Sequence, residues 1–278
     1  MSKSLEALIS PHKFTPSIMS DERSFEELWA NERAWVFSNL SHIAYFREDD
    51  VISFMHNLGA TNTKYYSHNG AQAFLSTWED KAILAFRGTQ LMEHLPKKYE
   101  HLNFLQKLII RVFIKVPFNL FSLPYLNNDV FADLQFCHAR LTKKKGVSVH
   151  SGFLGETKKL WKQITKDIKN IEGELPLWVT GHSLGGAMAT ITAMKHPVEA
   201  VTTFGEPRVG RKIHKAILSD NHTRYVNGDD IVTMVPPTFF SYYKHHGNKK
   251  QISDRDGGRD LLFDHSIINY SENLYKHH

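Results

Sequence analysis

Residues 177–187, Leu-Trp-Val-Thr-Gly-His-Ser-Leu-Gly-Gly-Ala, constrain this chain more than any other stretch. An apolar, strand-like run feeds a G-x-S-x-G turn, and Ala187, Met188, Ala189, Thr190 and Ile191 lead away as a small-residue helix. A serine on so tight a strand-to-helix turn has backbone angles that bulky neighbours obstruct. Gly181 and Gly185, two positions away on either side, meet that need. The turn lifts the Ser183 hydroxyl clear of the sheet and points the unpaired N–H groups of a helix N-terminus at a reacting oxygen. The five-residue pattern alone is only moderately specific; the flanking strand and helix carry the weight.

The rest of the chain supports an α/β reading. Residues 24–46 have helical periodicity, with Phe25, Leu28, Trp29, Ala34, Phe37, Leu40, Ile43 and Ala44 on one face. Ala73–Trp78 and Lys81–Phe86 read as a hairpin around Glu79-Asp80. A helix is expected over Gly152–Ile171, then the strand and helix of the serine turn, the helix running to His196, and a strand over Ala200–Phe204. A helix over Gly210–Leu218, a strand over Thr223–Val226 and a last helix opening near His265 follow. Strands alternating with helices predict a mainly parallel sheet covered on both faces, with its site at the carboxyl ends of the strands. The chain shows no repeats or long linkers, so residues 1–278 read as one domain.

Composition excludes several classes. The net charge of +5 permits contact with anionic surfaces without requiring it, and no nucleic-acid-binding module is recognisable. Lys97-Lys98, Lys143–Lys145 and Lys249-Lys250 read as solvated faces. Cys137 is the only cysteine, so no internal disulfide forms, and its apolar neighbours argue against a catalytic thiol. Residues 1–20 have no apolar core of a secretory signal, and no apolar run reaches the length of a membrane span. The expectation is a cytoplasmic protein, or one exported without a conventional signal peptide. No cofactor is expected, and the histidines show no spacing that gathers a metal.

A serine hydroxyl is a weak nucleophile near neutral pH. It needs an imidazole to take its proton, and the imidazole needs a carboxylate to fix its tautomer. On this kind of turn the chain order is serine, acid, histidine. Asp230 lies just past the strand Thr223–Val226 and before Ile231-Val232, where an acid partner belongs; neighbouring Asp229 is its competitor. Among 17 histidines His265 stands out, following the polar loop Ser253–Asp260 and the apolar run Leu261–Phe263. His245 and His246 read as structural or solvent-exposed. The Leu184 N–H supplies one donor to an oxyanion, and Thr89, after the strand end Phe86-Arg87-Gly88, is a candidate for the other. An ordinary turn at Thr89 is an equally good reading of those residues alone.

Taken together these segments resemble the class 3 lipases, the fungal-lipase-like branch of the α/β-hydrolases. Phe86-Arg87-Gly88-Thr89 is similar to the family's oxyanion strand, and Val149-His150-Ser151-Gly152-Phe153 to its V-H-x-G-F signature. Phe204–Gly210 is similar to its F-G-x-P-R-V-G segment, Asn227–Pro237 to its acid loop and Asp264–Tyr270 to its D-H-x(4)-Y terminus. Leu40–Tyr45 extends the likeness upstream. The resemblance implies an α/β-hydrolase fold, Ser183 as nucleophile, Asp230 rather than Asp229 as acid, and His265 as base. It also implies Thr89 and the Leu184 N–H as the oxyanion hole, with His150 and His182 as structural supports. Thr233-Met234 departs from the family's Pro-Arg-like pair, outside the triad.

The implied activity is carboxylester hydrolysis of acylglycerols through an acyl-enzyme. A phospholipase A1 acting on anionic phospholipids is the alternative, and a catalytically silent binding module a third reading that the intact Ser-Asp-His set disfavours. Residues 90–127 replace what is normally a much shorter link. Lys107, Arg111 and Lys115 recur there at i, i+4, i+8, with Phe113 among apolar residues between them, and Phe118 and Phe121 follow Pro117. This pattern suits either a helix packed on the core or a lid that meets a lipid surface.

Overall fold

Strands buried at every position fit only the middle of a sheet covered on both sides, and the described residues include three. The computed structural model describes residues 30–88, 138–139, 146–236, 238, 242–253 and 263–276. In chain order the described elements begin with α1 (Ala30–Ile43), α2 (Glu48–Asn57), β1 (Asn62–His68), β2 (Ala71–Thr77), β3 (Ala82–Phe86), β4 (His138–Ala139) and β5 (Ser148–His150). They continue with α3 (Ser151–Lys169), β6 (Leu177–His182), α4 (Leu184–Ala193), β7 (Ala200–Phe204), β8 (Gly210–Arg211), β9 (His222–Val226), β10 (Asn248–Gln251) and α5 (Ile267–Lys276).

β3, β6 and β7 are buried along their whole lengths. The described strands form a seven-stranded sheet in the order β1-β2-β3-β6-β7-β9-β10, antiparallel through β1, β2 and β3 and parallel from β3 onward. β4, β5 and β8 make a separate small antiparallel sheet. Alternate side chains of each strand face opposite layers. Ile83, Ala85 and Trp178 pack with α1, α2 and α5, whereas Leu84, Phe86 and Val179 pack with Leu160 and Ile164 of α3 and Met188 and Ala189 of α4. This is the α/β-hydrolase architecture: a mainly parallel sheet with helices on both faces.

Local sequence explains the two helices nearest the serine turn. α3 buries Phe153, Thr157, Leu160, Ile164 and Ile168, an i, i+4, i+7 stripe, and ends in Lys166 and Lys169, which suit the negative end of the helix dipole. The Nδ1 of His150 caps it by accepting the Gly152 N–H at 3.1 Å. α4 is built from small residues because it lies hard against the sheet. A Cβ at Gly185 would collide with the Phe86 carbonyl, and one at Gly181 with the backbone of Gly185. The two glycines thus let the ends of β3 and β6 and the start of α4 converge.

The sequence expectation of a helix over Gly210–Leu218 is corrected. Gly210 and Arg211 instead form β8, paired with Val149 and Ser148 of β5, and only Ile213–Lys215 turn as a single 3₁₀ segment. Gly210 lies so close to the Ser148 carbonyl that β5 captures the backbone a helix would have used. The last helix begins at Ile267, and His265 sits in the turn ahead of it. Cys137 and the insert, residues 90–127 with Lys107, Arg111, Phe113, Lys115, Phe118 and Phe121, lie outside the described residues.

Candidate active site

The parallel register lines up the carboxyl ends of four strands. Phe86 of β3 pairs with Gly181 of β6, His182 with Phe204 of β7, and Phe204 with Tyr225 of β9. The segments that leave these ends meet at one edge of the sheet, and they carry Ser183, Gly205 and Asp230.

Ser183 has φ 58° and ψ −126°, a conformation that costs a non-glycine residue of order 1–3 kcal/mol. Its N–H donates to the Phe204 carbonyl at 2.9 Å, which ties the turn to β7. Its Oγ lies 3.0 Å from His265 Nε2. His265 Nδ1 lies 3.0 and 2.9 Å from the two oxygens of Asp230. Ser183, Asp230 and His265 are 2%, 1% and 4% exposed, so the three polar groups meet out of bulk water.

The hydrogen bonds fix the proton positions. Asp230 Oδ1 also accepts the Val232 N–H at 2.9 Å and Oδ2 accepts the Tyr270 hydroxyl at 2.7 Å. A carboxylate so surrounded by donors takes the proton of His265 Nδ1 as a further hydrogen bond, which leaves the Nε2 lone pair facing the serine hydroxyl. Burial first, and then the charge of Asp230, push Tyr270 well above the ordinary tyrosine value, so it stays a donor. An imidazole in this tautomer can take the serine proton. The Leu184 N–H, at the first residue of α4, has no intrahelical carbonyl to bond and stands at the positive end of the helix.

Gly205 explains how the pair fits. It has φ +58°, and a Cβ there would stand 2.7 Å from Asp230 Oδ2 and 2.9 Å from His265 Nδ1. Only a residue without a side chain leaves room for that contact.

A second layer holds the base. His182 Nε2 lies 2.8 Å from the His265 carbonyl, which can only accept, so Nε2 carries the proton and Nδ1 accepts from the Tyr45 hydroxyl at 2.9 Å. Burial, with the His265 imidazole beside it, pushes His182 well below the ordinary histidine value and keeps it neutral. The Asp230 and His265 loops are also tied together: Asp264 Oδ2 accepts the Asp229 N–H at 2.7 Å, and Asn227 donates to the Asp264 carbonyl at 3.1 Å. Behind the serine turn, Glu206 accepts from Thr190 at 2.6 Å and Thr203 at 2.7 Å. Burial pushes its carboxyl up, but His222, Arg224 and Thr190 outweigh that and hold it below the usual range.

The structure therefore brings Ser183, Asp230 and His265 together with the Leu184 N–H. Asp229 makes its backbone contact to Asp264 instead. Thr89 lies outside the described residues, though Gly88 immediately before it packs against Tyr45 and the His182 carbonyl. Sequence reasoning gave no role to Tyr45, Glu206 or Tyr270. Tyr270 and Tyr45 stood in segments with a visible signal, the D-H-x(4)-Y terminus and the end of Leu40–Tyr45, whereas Glu206 occupies the variable position of F-G-x-P-R-V-G. Among the described residues no group of His, Cys, Asp or Glu is arranged to hold a metal.

Buried neutral histidines give an acid-stability prediction. Burial holds both His42 and His245 down to about 4. The unfolded chain, with histidine near 6.5, takes up protons first as pH falls, so this stability is present above about pH 6.5 and lost towards pH 4. Each group should cost roughly 2 kcal/mol by pH 5. Glu206 adds its own loss only at lower pH, below the ordinary carboxylate range. Urea unfolding at pH 7.5 and pH 5 should show the drop, and His42→Phe should remove that residue's own share of it, roughly 2 kcal/mol.

Residues 126–240 match the family model described as Lipase (class 3). Over those residues the chain is similar to the class 3 lipases. It is 33% identical over 133 residues to Lipase A of Sodiomyces alcalophilus, covering 39% of this chain and 32% of that protein. It is 32% identical over 111 residues to secreted mono- and diacylglycerol lipase 1 of Fusarium solani, covering 35% of this chain and 32% of that one. The chain thus spans about a third of the length of these two relatives. The solved structure of Rhizomucor miehei triacylglyceride lipase superposes with a TM-score of 0.55 at 18% identity, over 89% of this chain and 94% of that one, a likeness of fold.

These relatives correct one expectation. The cytoplasmic or leaderless reading is overturned by homologous fungal lipases that are secreted, the Fusarium protein by name. A single cysteine bears on disulfides rather than on compartment. Among the described residues no helix is long and apolar enough to cross a membrane.

Proposed function

We propose that this chain is a lipase of the class 3 type and hydrolyses acylglycerol esters through an acyl-enzyme on Ser183. The observation that carries the reading is the unbroken set of hydrogen bonds from Ser183 Oγ through His265 to Asp230, at 3.0 and 2.9 Å. His265 Nε2 takes the hydroxyl proton as Ser183 Oγ bonds to the ester carbonyl carbon. The resulting oxyanion faces the Leu184 N–H, with Thr89 as the second donor that the family resemblance implies. The imidazolium, stabilised by Asp230, passes its proton to the leaving alcohol as the ester C–O bond breaks. Water then gives a proton to His265 and its oxygen to the acyl carbon, and Ser183 recovers its proton as the fatty acid leaves.

In this reading the chain is one α/β-hydrolase domain, and residues 90–127 form a lid that makes transient contact with lipid surfaces. The support is the spacing of Lys107, Arg111 and Lys115 among apolar residues. Deleting residues 102–123 should abolish activation by lipid aggregates and spare short soluble esters; lipid activation unchanged by the deletion sinks the lid. The activity itself is tested with p-nitrophenyl esters of graded length beside triolein and phosphatidylglycerol. A pre-steady-state burst equal to the enzyme concentration is expected on the preferred p-nitrophenyl ester. A folded protein that cleaves none of these esters contradicts the proposal.

Gly205→Ala is expected to lower kcat by about 100-fold, because a methyl group there drives Asp230 and His265 out of line. Steady-state kinetics on p-nitrophenyl butyrate, with a thermal melt to confirm folding, checks it. Unchanged kcat would mean that the pair tolerates displacement.

A further inference from the structure

A second concave site lies on the small sheet, formed by residues the triad does not use. Arg211, Lys212, Ile213, His214, Tyr242, Lys244, His245 and His246 line a cavity of about 360 Å³. Two chain segments distant in sequence build it, because the Lys244 N–H donates to the Gly210 carbonyl at 2.9 Å and lays the second segment beside β8. Arg224, itself buried, steadies the floor by donating to the His246 carbonyl at 2.8 Å.

The lining is cationic and, among the described residues, contains no carboxylate. No described carboxylate pairs with Arg211, Lys212 or Lys244. The nearby acid, Glu206, is committed to Thr190, Thr203 and His222. Arg211 is steered by the Tyr242 ring, 5.6 Å from its guanidinium. The backbone is bent to make the cavity. Lys212 has φ 52° and Tyr242 φ 55°, two of the four described non-glycine residues with left-handed backbone, and Ser183 is a third. In the wall, His245 Nε2 donates to the Thr233 carbonyl at 2.7 Å, which leaves Nδ1 as a buried acceptor without a partner.

We propose that this cavity binds a phosphate ester, with Arg211, Lys212 and Lys244 as its charged contacts. Three cations exceed what the two oxygens of a single carboxylate need, and suit a phosphate ester, whose oxygens spread one or two negative charges over a tetrahedral group that several donors can reach at once. The volume exceeds that of a bare ion, and Ile213 with the Tyr242 ring offers apolar surface to the ester's organic part. The buried Nδ1 of His245 can accept from a P–OH or a hydroxyl of the ligand.

The test uses full-length Ser183→Ala protein, so that no lipid is consumed and the result does not depend on the proposed hydrolysis. Calorimetry with sn-glycerol 3-phosphate and inorganic phosphate probes the soluble source. Co-sedimentation with phosphatidylglycerol and phosphatidylcholine vesicles probes the headgroup source. Adding Arg211→Ala with Lys244→Ala should weaken binding at least tenfold, and Lys212→Gln, which leaves the sheet residues alone, should weaken it several-fold. Removing two exposed cations on α3, Lys162→Ala with Lys166→Ala, should change it less than twofold. Binding of soluble phosphates alone identifies a free phosphate ester. Phosphatidylglycerol binding that glycerol 3-phosphate competes away identifies a lipid headgroup. Binding of none of these probes, or equal losses from the α3 pair, overturns the proposal.

Discussion

Ser183→Ala, His265→Ala and the double variant should all lose the same large factor in kcat on p-nitrophenyl butyrate, about 10⁶-fold. The equality matters more than the size. His265 Nε2 stands 3.0 Å from Ser183 Oγ, and the imidazole's function in the proposed reaction is to take and return that one proton. Without the base the hydroxyl stays protonated, and without the hydroxyl the base has nothing to activate. Residual turnover reports what the Leu184 N–H and substrate binding do alone. Losses that multiply in the double variant would mean that the two residues act in separate steps.

Asp230→Asn should lower kcat by about 10⁴-fold while leaving KM within a few-fold. Asp230 accepts from His265, Tyr270 and Val232. An asparagine fills the same space but offers an NH₂ where one of those donors points. The imidazole then turns to the tautomer whose Nε2 bears a proton and cannot accept from the serine. Asp229→Asn should change kcat less than threefold, because the backbone N–H with which Asp229 holds Asp264 is kept by the substitution. A comparable loss from both substitutions would contradict the assignment of Asp230 as the orienting acid.

How much of this was legible in the sequence follows from the range of each interaction. Gly181, Ser183 and Gly185 announce a turn because the constraint acts over a few residues, and β3, β6 and β7 announce themselves because both faces are buried. The edges are harder to read. β10 is Asn-Lys-Lys-Gln, exposed throughout, and reads as a solvated charge run although it pairs with β9. Polar edge strands guard against pairing with other chains, and that same polarity erases the apolar alternation by which strands are recognised. β8 misled for a different reason, since its partner β5 lies some sixty residues earlier and overrides local helical preference.

The candidate site divides along the same line. Its serine, acid and histidine stand in ordered local motifs. The layer behind them consists of contacts such as Tyr45 with His182, 137 residues apart, and Tyr270 with Asp230, 40 residues apart. No periodicity encodes those pairs; the sheet register creates them. The same holds for the cationic cavity, where Arg211 and Tyr242 meet only because Lys244 bridges to Gly210.

The central claim is that Ser183 is an activated nucleophile. Intact-mass analysis after incubation with a fluorophosphonate, in the presence of detergent micelles, tests it most directly. The account predicts one covalent adduct per chain, mapped to the peptide containing Ser183, absent from Ser183→Ala and formed far more slowly in His265→Ala. A folded protein that gains no adduct, or whose adduct persists in Ser183→Ala, would contradict it.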